Sequence, residues 1–411
     1  MIKHTGAVVC ALVIAAAATG CNQQEDGSPQ AQPSASETSA AAATGEVDAA
    51  ELNPGNYPTK PLAPLGAADS PRRGAVLEAQ RLADAVVGPW EVDAAIAEPH
   101  TFSPTVGNAG PILPDALTPL LAPEAAKAGE PGYVTGFASA RELKDQTVLF
   151  NAVFEYADPQ AAAKAGHDMP QAMLDFAGTQ DIRIGTTLRE IPGHDDAFAV
   201  AYTYPVAGTD RVWNTVDSFT EHGPFVLMQR AQSMDSMQAA TDLVARTLAA
   251  QKPVIDEFQP TPQADLPSLP KDPSGLLARA LPTTRAETWN SNATFGPRAM
   301  LHFEVDPEAA GTAYGDAGVD LGVTSDGWVY RTRDNAAAKS LAAEFADTQG
   351  GTSTPAEAVP NLPDSTCYQD AASQNFVCTA AMDQYMFMLY GPRLDDVHQK
   401  AAAQYLMLAA K

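Results

Sequence analysis

The chain has 411 residues, of which 45% are hydrophobic and 7% aromatic, and a formal net charge of −25 at pH 7. A charge of that sign and size repels nucleic acid and anionic lipid headgroups, which excludes a basic docking surface for either. The acids stand singly or in pairs, as on a solvated surface, and the four cysteines lack the CxxC or paired-His spacing of a zinc set.

In chain order, residues 1–4 supply a short basic start with Lys3, residues 8–18 are apolar, and "ATGC" closes the run at Cys21. That apolar run is too short to span a bilayer as a helix, which needs about 20 residues, so residues 1–20 read as a cleaved export signal. Small Thr19 and Gly20 before the cysteine resemble a bacterial lipobox, with Ala18 standing where leucine is commoner. The resemblance implies diacylglycerol on the Cys21 sulfur and an anchor on the extracytoplasmic face of the cell membrane. Diacylglycerol brings two acyl chains at once, each buried methylene worth about 0.8 kcal/mol, and two chains are what stable anchoring takes. The competing reading is an ordinary secretory signal with a spare cysteine behind it.

Residues 21–50, rich in Ser, Ala, Gln, Thr and Pro, show no apolar period and cannot bury enough surface to fold. They predict a disordered tether with a reach of roughly 30 Å. Once Cys10 leaves with the signal and Cys21 is acylated, parity leaves Cys367 and Cys378. In an oxidising compartment this pair closes a small loop worth about 3 kcal/mol; two reduced core cysteines are the alternative.

The prolines of "LNPGNYPTKPLAPLG" predict an extended surface segment from residue 52, and Val76, Ala79, Ala83 and Val86 then form one helical stripe that Gly88-Pro89 stops. "TVLFNAVFEY" alternates as a strand, and Asp158-Pro159 reads as N-cap and first residue of a helix. Strands follow in "AFAVAYTYPV", "RVWNTVDSFT" and "PFVLMQRAQ", then a helix over about residues 234–250.

Three stretches, "LNPGNYPTKP", "EAQRLADAVVGPWEVD" and the closing "VHQKAAAQYLMLA", resemble a family of uncharacterised actinobacterial lipoproteins over nearly all of the mature chain. The resemblance implies an envelope address and a two-part architecture and brings no catalytic residue with it.

Residues 252–275 pack six prolines and read as a linker between an N-terminal domain over 51–251 and a C-terminal domain over 276–411. Beyond it, "DGWVYRTRDNAAAKSLAAEF" repeats the strand, Asp cap and alanine-rich helix, and strands in "STCYQD", "NFVCTAAM" and "QYMFMLYG" precede a closing helix with Val397, Ala401, Tyr405 and Leu408 on one stripe. The expected fold is therefore α+β: two similar domains, each an antiparallel sheet with helices on one face, pointing to an internal duplication against two unrelated units.

Chemistry is sparse. There is no GxSxG, HExxH, phosphate-binding glycine loop or EF-hand spacing. "SLPK" puts Ser268 and Lys271 at SxxK spacing, but Pro270 breaks the helical turn that spacing needs; "GHDD" sets His194 beside Asp195 and Asp196, and Glu221-His222 follows. Asp316, Asp320 and Asp326 stand among glycines at a spacing unsuited to calcium, and the "NAT" at Asn292 has the letters of a glycosylation acceptor. No catalytic residue, metal or cofactor is assigned. The expectation is a non-enzymatic, lipid-anchored envelope protein that binds or scaffolds an envelope protein or a small-molecule or lipid ligand. The alternatives are a carrier with an interdomain cleft, and a hydrolase built on His194 or His222.

Overall fold

A computed structural model describes residues 47–103, 106–176, 183–283, 290–350 and 353–410. Cys21, the export signal and most of the tether lie outside the described residues.

Eight strands make the first sheet: β1 (Glu98–Pro99), β2 (Ala109–Pro111), β3 (Tyr133–Leu143), β4 (Thr147–Tyr156), β5 (Ile184–Arg189), β6 (Ala197–Pro205), β7 (Val212–His222) and β8 (Phe225–Ser233). Their spatial order is β1-β3-β4-β8-β7-β6-β5, with β2 also paired to β3. The helices of this half are α1 (Pro71–Leu82), α2 (Pro89–Val92), α3 (Leu117–Leu120), α4 (Pro123–Gly129), α5 (Pro159–Asp175) and α6 (Met237–Ile255). The second half contributes β9 (Ala293–Phe295), α7 (Pro297–Leu301), α8 (Pro307–Ala317), β10 (Leu321–Thr324), β11 (Gly327–Arg331), α9 (Asn335–Gly350), β12 (Thr354–Ala356), β13 (Thr366–Gln369), β14 (Phe376–Met382), β15 (Tyr385–Gly391) and α10 (Leu394–Ala409). Its sheet runs β12-β13-β14-β15-β11-β10-β9, and every pairing in both sheets is antiparallel.

The two halves share one topology. A hairpin (β3-β4 or β10-β11), a helix, a four-strand meander and a second helix follow in the same order, and in both sheets the last meander strand pairs with the second hairpin strand. The duplication expected from pattern is thus present, with one more strand before the first helix and one more after it than the sequence predicts. The helices lie on both faces of each sheet rather than on one. Along β4 the period of two hands Phe150, Ala152 and Phe154 to a face covered by Met169 and Met173 of α5, and Leu149 and Val153 to the opposite face, covered by Leu243 and Val244 of α6. In the second half α9 packs beside Tyr330 and Met386, while Val397 and Ala401 of α10 pack with Val329 and Phe387.

The two expected Asp caps are in place: Asp158 accepts the Ala161 N–H and Asp334 the Ala337 N–H, each at 2.8 Å. Ser236, a cap not foreseen, accepts the Ala239 N–H at 3.1 Å, so α6 starts three residues after the predicted Met234. Cys367 and Cys378 face each other across β13 and β14 as a disulfide, buried in the core under α10.

All described residues belong to one compact unit. Residues 252–255 form the last turn of α6, and the rest of the proline-rich segment is a docked strap, not a free linker. Leu266 is buried against α1, where a side chain at Gly74 would meet the Leu266 carbonyl oxygen at 2.3 Å; the Ala68 N–H donates to Leu269 O at 2.8 Å. The first described residues also cross over. Leu52 is buried in the second sheet's core, Tyr57 O–H donates to Asp396 at 2.7 Å, and the Leu62 N–H donates to Ala278 O at 2.8 Å.

Between the sheets, the short helix α7 is held at both ends by the first half. Asp84 accepts the N–H groups of Gly296 (2.9 Å) and Ala299 (3.0 Å), an approach that a side chain at Gly296 would block at 2.4 Å. At the other end the wholly buried Arg141 guanidinium donates to the carbonyls of His302 (3.0 Å) and Glu304 (2.6 Å), and also to Ala97 O at 2.6 Å. Its Cζ lies 5.1 Å from the Trp90 ring centroid, and Trp90 packs edge-on to His302 at 5.3 Å. An anion at the N-terminus and a cation at the C-terminus both suit the helix dipole. His302 Nε2 faces the carbonyls of Ala83 (3.2 Å) and Val86 (3.1 Å), which fixes it as the protonated nitrogen, and burial pushes its pKa down to about 3.

Two outcomes follow from this seam. Arg141→Met strips the charged donor from a carbonyl cluster and is expected to cost about 3 kcal/mol or more, read as a lower urea midpoint; an unchanged midpoint refutes the role given to Arg141. Because His302 binds a proton when unfolded but not when folded between about pH 6.5 and 3, it draws stability down as pH falls through that window. His302→Gln is therefore expected to be less stable at pH 7 and to flatten the acid slope by up to about 1.4 kcal/mol per pH unit. Parallel slopes for variant and parent in urea titrations at pH 7 and 4.5 exclude it.

Candidate functional site

The residues singled out by sequence do not converge. His194 Nε2 lies 3.0 Å from Ala245 O and its Nδ1 3.3 Å from Lys252 Nζ, which pairs with Asp196 at 2.8 Å; His222 pairs with Asp256 at 2.6 Å. Both imidazoles are thus tied to α6 or the residue after it, and among the described residues no serine or cysteine is hydrogen-bonded to either. Lys271 pairs with Asp69 at 2.8 Å, not with Ser268. Asp320 pairs with Arg331 at 2.7 Å and the buried Asp326 with Lys400 at 3.0 Å, so the three carboxylates of the glycine-rich stretch do not gather. Asn292 Oδ1 accepts the Ser325 hydroxyl at 2.9 Å. Among the described residues the one group of three His, Cys or acid ligand atoms within 4.8 Å is Cys367, Cys378 and His398, and its sulfurs are joined to each other.

Two hollows involve the proline-rich strap or the histidines. The larger of the two, about 1210 Å³, is an open groove along the β5–β6 connection, containing His194, Asp195 and Asp196. Arg189 in its wall is committed to Thr241 at 2.9 Å and Gln238 at 2.7 Å. The second, about 540 Å³, lies where α1, the proline-rich strap and the β9–α7 corner meet, in the size range of small-molecule sites. Leu77 comes from α1, Phe258 and Leu269 from the strap, and Phe295 and Leu321 from the second half.

Several charges around this cleft are engaged in building it. Arg81 donates to Glu78 at 2.5 Å and to Thr261 Oγ1 at 2.7 Å and covers the Phe258 ring at 5.3 Å, which ties the strap to α1. Asp84 caps α7, and burial raises its pKa against those hydrogen bonds. Beneath Arg81 the Glu155 carboxyl, 2% exposed, is pushed up to about 8, first by burial and then by neighbouring Glu78. Gln80, Gln259 and the exposed Glu257 also line the cleft, while Thr294 Oγ1, without a hydrogen-bond partner, is shut from solvent and so is not offered to the hollow. The cleft thus has largely apolar walls with a few polar residues among them. Sequence reasoning placed a cleft at the linker only as an alternative, and the proline-rich strap was its single visible sign; Leu77 and Phe295 are ordinary core letters until the fold brings them together.

Comparison with known proteins gives a family and two distant structures. The extracellular domain of PknH from Mycobacterium tuberculosis is 13% identical, over 42% of this chain and 94% of that one, with a TM-score of 0.29. An uncharacterised protein of Mycobacterium smegmatis, the Rv0999 ortholog, is 15% identical over 43% of this chain and 99% of its own, with a TM-score of 0.24. No curated protein matches the chain. Among the described residues no helix is long and apolar enough to cross a membrane. The N-terminal model of a domain of unknown function, DUF7373, matches residues 65–271 and its C-terminal model residues 276–411, meeting within the strap: the chain belongs to the DUF7373 family.

Proposed function

We propose that this protein is a lipid-anchored binding protein of the cell envelope, which holds a small and largely apolar molecule in the cleft between its halves without transforming it. The observation that carries the reading is the cleft of about 540 Å³, whose largely apolar walls come from both halves. A largely apolar molecule fits such a lining, because burial of its body supplies the affinity. Support for the address is the export signal, the lipobox-like "ATGC" at Cys21 and the polar stretch behind it. The resemblance to uncharacterised actinobacterial lipoproteins points the same way.

Native mass spectrometry of protein extracted from its own host membrane tests the cleft. A small-molecule adduct is expected on the parent and absent from Leu321→Trp, which fills the cleft from β10. An adduct equally retained by Leu321→Trp, or a co-purifying protein in place of any adduct, overturns the carrier reading, the latter in favour of a scaffold. The anchor has its own test: Cys21→Ala should move the protein from the membrane to the soluble fraction, and an intact mass showing residue 21 unacylated in the membrane form refutes it. Replacing His194 or His222 by alanine is expected to leave ligand occupancy unchanged.

A further inference from the structure

Buried carboxylates ordinarily have their oxygens occupied by donors or by a counter-ion. Glu304 has one oxygen occupied. The residue is 8% exposed, and both Tyr314 O–H (2.6 Å) and Tyr330 O–H (3.1 Å) donate to Oε1. No hydrogen bond reaches Oε2. Arg141, whose charge is felt at this carboxylate, directs its N–H groups to main-chain carbonyls, that of Glu304 included, so no ion pair forms. The fold thus encloses most of this side chain and leaves Oε2, which solvent still reaches, without a donor among the described residues.

Glu304 opens onto a slot of about 250 Å³ between α8 and α9. Ala309, Ala310 and Ala313 of α8 make one wall and Phe345 of α9 contributes to the other; Asp306 and Glu344 add two exposed carboxylates, and among the described residues no lysine or arginine lines the slot. The sign of these groups selects a cation. Their spacing selects an organic one, since the three carboxylates are not among the groups close enough to share a metal ion. Alanine methyls and a phenyl ring suit a chain of methylenes, as Val305 does, 66% exposed beside Glu304.

We propose that this slot binds a primary alkylammonium ion, with the ammonium at Glu304 Oε2 and the alkyl chain along the alanine face of α8. The ammonium brings the donors that Oε2 lacks, in a charge-assisted bond. The fold already removes most of the Glu304 side chain from water, so much of the desolvation cost on the protein side is met before the ligand arrives. This site is separate from the cleft and stands or falls independently of it.

The test uses n-hexylammonium chloride titrated calorimetrically into the folded chain, with 1-hexanol as the uncharged control. Saturable binding of the ammonium at least tenfold tighter than that of the alcohol is expected, with at least a tenfold loss in Glu304→Gln. Ala310→Leu, which leaves the carboxylate and fills the slot, should abolish binding of both probes. Equal affinities for the two probes, or binding that survives Glu304→Gln, overturns the proposal. Should Glu304→Gln fail to fold, undiminished binding to Ala310→Leu overturns it alone.

Discussion

The arrangement of the two sheets depends on how the five residues of α7 are held. A helix this short has no stability of its own. It exists because the first half offers a carboxylate to its N-terminal amides and a guanidinium to the carbonyls after its last turn, from Asp84 and Arg141. Arg141 is buried and Asp84 half-buried, and each leaves costly orphans if its partners go. The seam is therefore specified by polar geometry at two points, and the apolar residues around it, such as Met300 and Leu82, fill the space those points define.

That division of labour explains the character of the cleft. Arg81, Glu78 and Asp84 reach their partners in the strap and in α7, so the wall facing the hollow keeps leucine and phenylalanine and little polarity. Burial, and then neighbouring Glu78, pushes the Glu155 carboxyl up to about 8, which disfavours a further charge behind this wall.

The duplication is legible in the order of elements because strands such as "NFVCTAAM" and caps such as Asp158 signal locally, through period and hydrogen-bonding side chains. The extra strands are not. β3 is buried on both faces and so loses alternation, β5 is an exposed edge carrying Gly185, and β12 is three residues around Pro355. The single helical face expected of each sheet fails for the same reason: two-sided burial erases the polar half of the pattern. The cysteine pair was legible by counting. Arg141 and Glu304 were not, since "ASARELKD" and "HFEVDPEA" read as solvated charge until partners from the other half, or from two strands away, enclose them. His194 and His222, the conspicuous letters, are ordinary surface pairs.

Leu52 and Tyr57 stand at the start of the described chain yet complete the core beneath its last helix, a contact separated by 339 residues. In a chain delivered N-terminus first, at about 5–20 residues per second, that segment waits roughly 20 to 70 s for Asp396 to emerge. The first half can close its own sheet in that interval, whereas the second receives its opening piece last. The two repeats, alike in topology, are thus unlike in timing, and an isolated second repeat starts life without a part of its core.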